Sequence, residues 1–212
     1  MDESRIPIMV GAGQITQRED DPKQALAPID LIAASARAAA EDSEAGTALL
    51  SSLDTIVQLR AFADTSWRFR SPFGSPSNPP KSLANRIGAD NAKRLIYTYA
   101  GGNMPQWSIN RLSEMVTRGE VETAMVIGGE ALSTQKTAQR AGIDLDWNED
   151  AGGESETWGV GKQGWNDVEE RHRMAGAIFA YPMFETAIRG HKGRTIDEHA
   201  LAMGRLFEGF AK

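Results

Sequence analysis

Apolar residues concentrate in four short runs, and longer polar or alanine-rich segments separate them. Short runs rich in Ile, Val, Leu and Met, bounded by glycine or polar residues, are typical of buried strands. The sequence therefore predicts four strands, at 6–15, 53–59, 94–100 and 123–127.

Two of the intervening segments favour helices. Residues 29–41 are rich in alanine, the residue with the highest helix propensity. A second helix is predicted from Asn103, a good N-cap residue, through a first turn that tolerates Pro105, to a stop at Gly119. Residues 81–87 predict one or two further helical turns. Strands that alternate with helices indicate an α/β fold with a parallel sheet and right-handed crossovers.

The composition of the chain changes after about Gln135. This change predicts one domain at 1–135 and a second at 136–212. Residues 141–170 combine acidic side chains, glycines and three tryptophans. This segment is either a solvated acidic loop with tryptophans packed inward or a partner or dimer surface, because tryptophan is favoured at interfaces. Thr195 and Glu198 have the spacing of a capping box and predict the start of a helix.

Composition narrows the classes of function. The chain has 212 residues, 41% hydrophobic and 25% charged, with a net charge of -6. We therefore expect a soluble globular protein that binds neither nucleic acid nor anionic membranes. There is no cysteine and there are three histidines, so disulfides, thiolate zinc sites and histidine-built metal sites are not expected. The N-terminus lacks a signal-peptide pattern, and we predict a cytoplasmic protein.

Three short motifs indicate little chemistry by themselves. Gly11-Ala12-Gly13 lacks the third glycine and the acidic residue of a dinucleotide-binding turn. Glu130, after Gly128-Gly129, is a lone carboxylate without a partner that would shift its pKa. Ser108 has no recognisable histidine base, so we do not predict a serine nucleophile.

Several segments taken together resemble one family. Residues 8–16 resemble the first strand of thiolases, and residues 118–133 resemble the end of their central helix, the following strand and its glycine-rich exit. Residues 99–110 lie where thiolases carry a nucleophilic cysteine, and residues 193–198 resemble a capped helix of their loop domain. With Asn78-Pro-Pro-Lys-Ser82, the pattern is most similar to the N-terminal half of cysteine-lacking, thiolase-like proteins of the acetyl-CoA acetyltransferase group.

The resemblance implies a thiolase-like βαβαβ half with a parallel-rich central sheet, a loop-domain insertion, and CoA or acyl-CoA as substrate or ligand, with no tightly bound cofactor. Gly102 stands at the usual position of the nucleophile, so no catalytic residue is predicted. Two groups of residues are implied to bind CoA: Gly101, Gly102, Asn103 and Met104 by motif position, and Tyr181, Met183 and Phe184 by a looser match. Ordinary core packing is the alternative for the last three.

The resemblance also implies a C-terminal half with histidine motifs, which this sequence does not contain. We therefore expect either a fragment or a protein whose second half lies on a longer or separate chain, with a homodimer as the other implied partner. The predicted function is that of a thiolase-like acyl-CoA acyltransferase family member, inactive by itself in thiolase chemistry because it lacks the acyl-accepting thiol. The alternative is a non-catalytic CoA-binding subunit or scaffold half of a multi-chain acyltransferase.

Overall fold

A computed structural model describes residues 5–65, 69–159, 165–174 and 176–211. The chain forms two compact units, an α/β unit at Met1–Gly161 and a helical unit at Lys162–Lys212. The boundary between the two units lies after residue 161, later in the chain than the domain boundary predicted at residue 135. The reason is that a short strand at 156–158 pairs with the central sheet of the first unit.

The α/β unit contains five helices and four strands among its described residues. In chain order they are α1 (Pro28–Asp42), α2 (Thr47–Ser52), β1 (Thr55–Gln58), α3 (Pro79–Ile87), β2 (Arg94–Thr98), α4 (Met104–Arg118), β3 (Ala124–Ile127), α5 (Leu132–Ala141) and β4 (Glu156–Trp158). A 3-10 turn at Phe62–Asp64 follows β1. The predicted helices at 29–41 and 103–118 are confirmed within a residue or two.

The four strands form one parallel sheet in the order β3-β1-β2-β4. Side chains alternate across it, as strand geometry requires. Ile56 of β1 packs with α1 and α3 on one face, whereas Val57 and Ile96 pack with α4 on the other. Helices therefore cover both faces, which is the arrangement expected for a parallel sheet. The predicted α/β class with a parallel central sheet is confirmed.

The predicted strand at 6–15 is wrong, because no strand is assigned there and the apolar side chains are exposed, Ile8 by 77%. The glycines of this segment lie against the backbone of α1 instead. A Cβ atom on Gly11 would lie 2.3 Å from the carbonyl oxygen of Ala39, and one on Gly13 would lie 2.4 Å from the Ala39 nitrogen. The segment needs glycine at these positions because it packs directly against a helix backbone.

The helical unit contains α6 (Asp167–Arg171), α7 (Ala177–His191) and α8 (Ile196–Phe207), followed by a 3-10 turn at Glu208–Phe210. The predicted capping box is confirmed at the start of α8, where Thr195 accepts from the Glu198 N–H and Glu198 accepts from the Thr195 N–H. His199 is the one buried side chain among the described residues of this unit, and its Nε2 lies 2.7 Å from Glu185 Oε2.

Candidate functional site

The junction between β2 and α4 holds the first group of predicted binding residues. β2 ends at Thr98 and α4 begins at Met104, where the Met104 N–H donates to the Gly101 carbonyl oxygen at 3.0 Å. Asn103 occupies the predicted N-cap position, but its side chain makes no capping hydrogen bond. Gly101, Gly102 and Asn103 are exposed, so the junction presents backbone to solvent at the positive end of the helix dipole.

Neither packing nor backbone conformation requires glycine at position 102. A Cβ atom built there meets no heavy atom within 4 Å, and its φ lies outside the left-handed region. This position could therefore carry an ordinary L side chain. Gly101 is tighter, because a Cβ there would lie 2.7 Å from the Asn103 side-chain oxygen.

Met104 differs from its three neighbours because its side chain is buried. Its Sδ atom lies 3.2 Å from the position of a Cβ atom on Gly159, just after β4. Met104 therefore packs α4 against the β4 end of the sheet. Ser108, one turn further along α4, is fully buried and its hydroxyl has no hydrogen-bond partner, so it is not accessible as a nucleophile.

The second predicted group lies on α7 in the helical unit. Tyr181 is 65% exposed, Phe184 and Met183 are also exposed, and the Tyr181 and Phe184 rings are 6.3 Å apart between centroids. These side chains do not form core within the described chain. They present an apolar surface on a helix that has no buried residue.

A group of polar side chains that the sequence did not single out lies at the carboxyl edge of the sheet, on the face covered by α1 and α3. Gln58 ends β1, and Tyr97 is its register partner in β2. The Tyr97 hydroxyl donates to Asp64 Oδ2 at 2.6 Å and accepts from the Ala61 N–H at 3.1 Å. Burial, and then the hydrogen bond to Asp64, raise the pKa of Tyr97 above its usual range, so the phenol remains a donor.

Glu130 lies beside this group, in the loop after β3. Its Oε1 accepts a short hydrogen bond from the Phe62 N–H. Partial burial raises the pKa of Glu130, and the charge of Asp64 adds to the rise, while the Phe62 hydrogen bond opposes both. Glu130, which the sequence indicated was a lone carboxylate, is therefore close to a second carboxylate, that of Asp64.

These residues line a small cavity of about 60 Å³, which we name the Tyr97 cavity. Its other walls are mostly apolar and include Ile29, Ile32, Pro79 and Trp147. A more open groove of about 480 Å³ adjoins it, shares Asp64 with it, and carries Arg60 and Arg70. Ligands of open α/β sheets commonly bind beyond the carboxyl ends of the strands, which is the one general signal that could have indicated this place.

The described residues contain neither a metal-ligand cluster nor a helix suited to span a membrane. No three His, Asp or Glu side chains at 5–65, 69–159, 165–174 or 176–211 converge in the way metal ligands would. In the same parts of the chain, no helix combines the length and the apolar character that crossing a bilayer requires.

Comparison with known proteins supports the fold. No protein-family model matches the chain, and no curated protein matches it. Among solved structures, it is similar to the crystal structure of a monomeric SCP2-thiolase-like protein type 1 (STLP1) from Mycobacterium smegmatis, at 23% identity and a TM-score of 0.63. The match covers 98% of this chain and 34% of that one, so the chain spans about a third of the length of that protein. The fold is therefore thiolase-like.

Proposed function

We propose that this chain is a thiolase-like member of the acyl-CoA acyltransferases that binds CoA or acyl-CoA without forming an acyl-enzyme. The observation that carries the proposal is the exposed junction at Gly101–Asn103 in a thiolase-like fold, with open space around Gly102. The thioester or phosphate oxygens of the ligand lie at the N-terminus of α4. The positive end of the α4 dipole favours partial negative charge there.

Because the chain has no thiol at the junction, we expect it to carry out no covalent acyl transfer. Covalent acyl transfer requires a nucleophile at the junction, and Gly102 supplies none, while the Ser108 hydroxyl is fully buried. We therefore expect no turnover by the isolated chain with acetoacetyl-CoA and CoA. Turnover above that of a boiled sample would contradict this part of the proposal.

Binding is tested separately from turnover, by thermal shift and calorimetry with CoA and acetyl-CoA. A ligand that binds the folded state raises the melting temperature, and the rise grows with the logarithm of ligand concentration once that concentration exceeds Kd. Gly102→Glu places a negative charge at the junction and should remove most of the shift. Thr117→Glu, near the other end of α4, is the matched control and should retain it. The absence of a shift with millimolar CoA, or an equal shift for both variants, contradicts the proposal.

One observation favours a second function, that of a non-catalytic scaffold half. Tyr181, Met183 and Phe184 expose apolar side chains on α7, and exposed apolar patches of this kind commonly mark interaction surfaces. This function predicts association, with a second copy or with a separate thiolase half, that does not depend on CoA. Light scattering of the wild type and of Tyr181→Ser/Phe184→Ser, with and without CoA, tests it. A concentration-independent monomer in all samples contradicts a homodimer.

A further inference from the structure

The Tyr97 cavity is separate from the position proposed for acyl-CoA. Gln58 and Tyr97 alternate with Val57 and Ile96 along their strands, and the latter two pack with α4 on the opposite face. The cavity therefore opens beside α1 and α3, whereas Gly101–Asn103 lead into α4. A ligand in one place does not need the other.

The cavity contains an acceptor that the fold leaves unused. Gln58 is 2% exposed, and its Oε1 atom has no hydrogen-bond partner among the described residues. A buried polar atom without a partner is costly, and native structures usually satisfy such an atom with a ligand or water if the protein does not. An occupant of this cavity should therefore donate a hydrogen bond.

Two carboxylates in the cavity, those of Asp64 and Glu130, also accept. Asp64 Oδ2 receives the Tyr97 hydroxyl and Glu130 Oε1 receives the Phe62 N–H, so each carboxylate keeps one oxygen without a hydrogen bond from the described residues. Asp64 and Glu130 are the charged residues among the described lining of this cavity, and both are acidic. Arg60 and Arg70 line the adjoining groove instead. The local charge therefore favours a cation over an anion.

The walls and the volume limit the rest of the ligand. Ile29, Ile32, Pro79 and Trp147 supply apolar surface to the same cavity. A volume of about 60 Å³ exceeds that needed for one water but is far below that of a drug-sized pocket. The occupant is small, with a donating head and a short apolar body.

We propose that the Tyr97 cavity binds a small organic cation, a primary ammonium or amidinium group on a short aliphatic chain, which donates to Gln58, Asp64 and Glu130. The Tyr97 hydroxyl orients Asp64 for this role by fixing one of its oxygens. The Arg60 guanidinium, centred 4.2 Å above the Tyr97 ring, holds that ring from the groove side.

The test is an NMR titration of the whole chain with three probes that share one aliphatic chain: n-butylammonium, n-butanol and butyrate. We expect saturable shifts of resonances around Gln58 and Tyr97 with butylammonium, at least about tenfold weaker binding of butanol, and no saturation with butyrate. Equal binding of all three probes, or saturation with butyrate first, overturns the proposal. The absence of saturable binding by butylammonium also overturns it.

Variants of the polar lining residues show how much the head group of the ligand contributes to binding, apart from the apolar walls of the cavity. Gln58→Met keeps the length of the side chain and removes the acceptor, and it should weaken butylammonium binding about tenfold. Gln106→Met, on the exposed side of α4, is the matched control and should leave binding unchanged. If Gln58→Met does not fold, Glu130→Gln provides the second test, since it should weaken butylammonium binding but not butanol binding. Unchanged affinity in both cavity variants overturns the proposal, whatever the outcome of the CoA experiments.

Discussion

Arg86 Nη1 lies 2.6 Å from Glu149 Oε2, and this ion pair joins α3 to the acidic segment that follows α5. The same guanidinium pairs with Asp30 of α1 through Nε, also at 2.6 Å. Glu149 accepts a further hydrogen bond from the Ser82 hydroxyl at 2.7 Å. The segment predicted as either a solvated acidic loop or a partner surface is therefore tied, at Glu149, into the α/β unit itself.

Replacing Arg86 should destabilise the α/β unit, because Asp30 and Glu149 would keep their charges without a cationic partner. Arg86→Met retains the aliphatic bulk and should lower the free energy of unfolding by about 1–2 kcal/mol, since the pair is partly exposed. Arg118→Met, which breaks exposed pairs with Glu114 and Glu120, should cost about 0–0.5 kcal/mol. Urea denaturation of both variants makes the comparison, and equal losses would show that the Arg86 pairs contribute no more than surface pairs.

The N-terminal segment should depend on its glycines. Gly13→Ala would place a Cβ atom 2.4 Å from the Ala39 nitrogen and 2.6 Å from the Ser35 carbonyl oxygen, and a helix backbone cannot move aside easily. We expect a loss of about 1–3 kcal/mol or release of the segment, visible as earlier proteolytic cleavage near the N-terminus. Gly102→Ala is the control and should change stability by less than about 0.5 kcal/mol. If Gly13→Ala is as stable and as protease-resistant as the control, the packing of this segment on α1 is wrong.

Helices with complete local signals could be predicted from the sequence. α4 begins after Asn103, carries Pro105 in its first turn and ends just before Gly119, whose φ of 73° suits glycine. The capping box at Thr195 and Glu198 is equally local. Each of these features depends on residues within a few positions, so composition and spacing were sufficient.

The misplaced and missed features depend on distant parts of the chain. Gly11 and Gly13 follow an apolar run that resembles a strand, but α1 determines their environment. β4 has three residues within an acidic, glycine-rich stretch, and pairing with β2 rather than its own pattern makes it a strand. Tyr97 and Asp64 are 33 residues apart in sequence, so the Tyr97 cavity could not be seen before the sheet was assembled.

A cysteine placed at the open junction should acquire a reactive thiol. Gly102→Cys puts sulfur at the N-terminus of α4, where the helix dipole favours the thiolate, whereas Thr117→Cys puts it near the C-terminal end. The helix dipole changes the energy of a thiolate by roughly 0.3–1 kcal/mol at each end of the helix, with opposite sign. The pKa values of the two thiols should therefore differ by about one unit. Iodoacetamide alkylation rates measured against pH give both values, and the native chain, without cysteine, provides the blank. Equal pKa values would contradict an exposed, dipole-stabilised site at Gly102.

The raised pKa of Glu130 predicts a specific dependence of stability on pH. The folded state holds the Glu130 proton more tightly than the unfolded state does. Protonated Glu130 therefore stabilises the fold below its usual pKa of 4.5, and this stabilisation is lost as pH rises through the pKa of Glu130 in the folded state. Glu130→Gln keeps an oxygen for the Phe62 N–H and cannot ionise. The variant should therefore gain stability relative to wild type as pH rises from about 4 to 7. Urea denaturation at several pH values measures the difference, with Glu41→Gln on α1 as the control for removing one negative charge. A difference that stays constant across this range, or matches that of the control, would show that neither burial nor Asp64 perturbs Glu130.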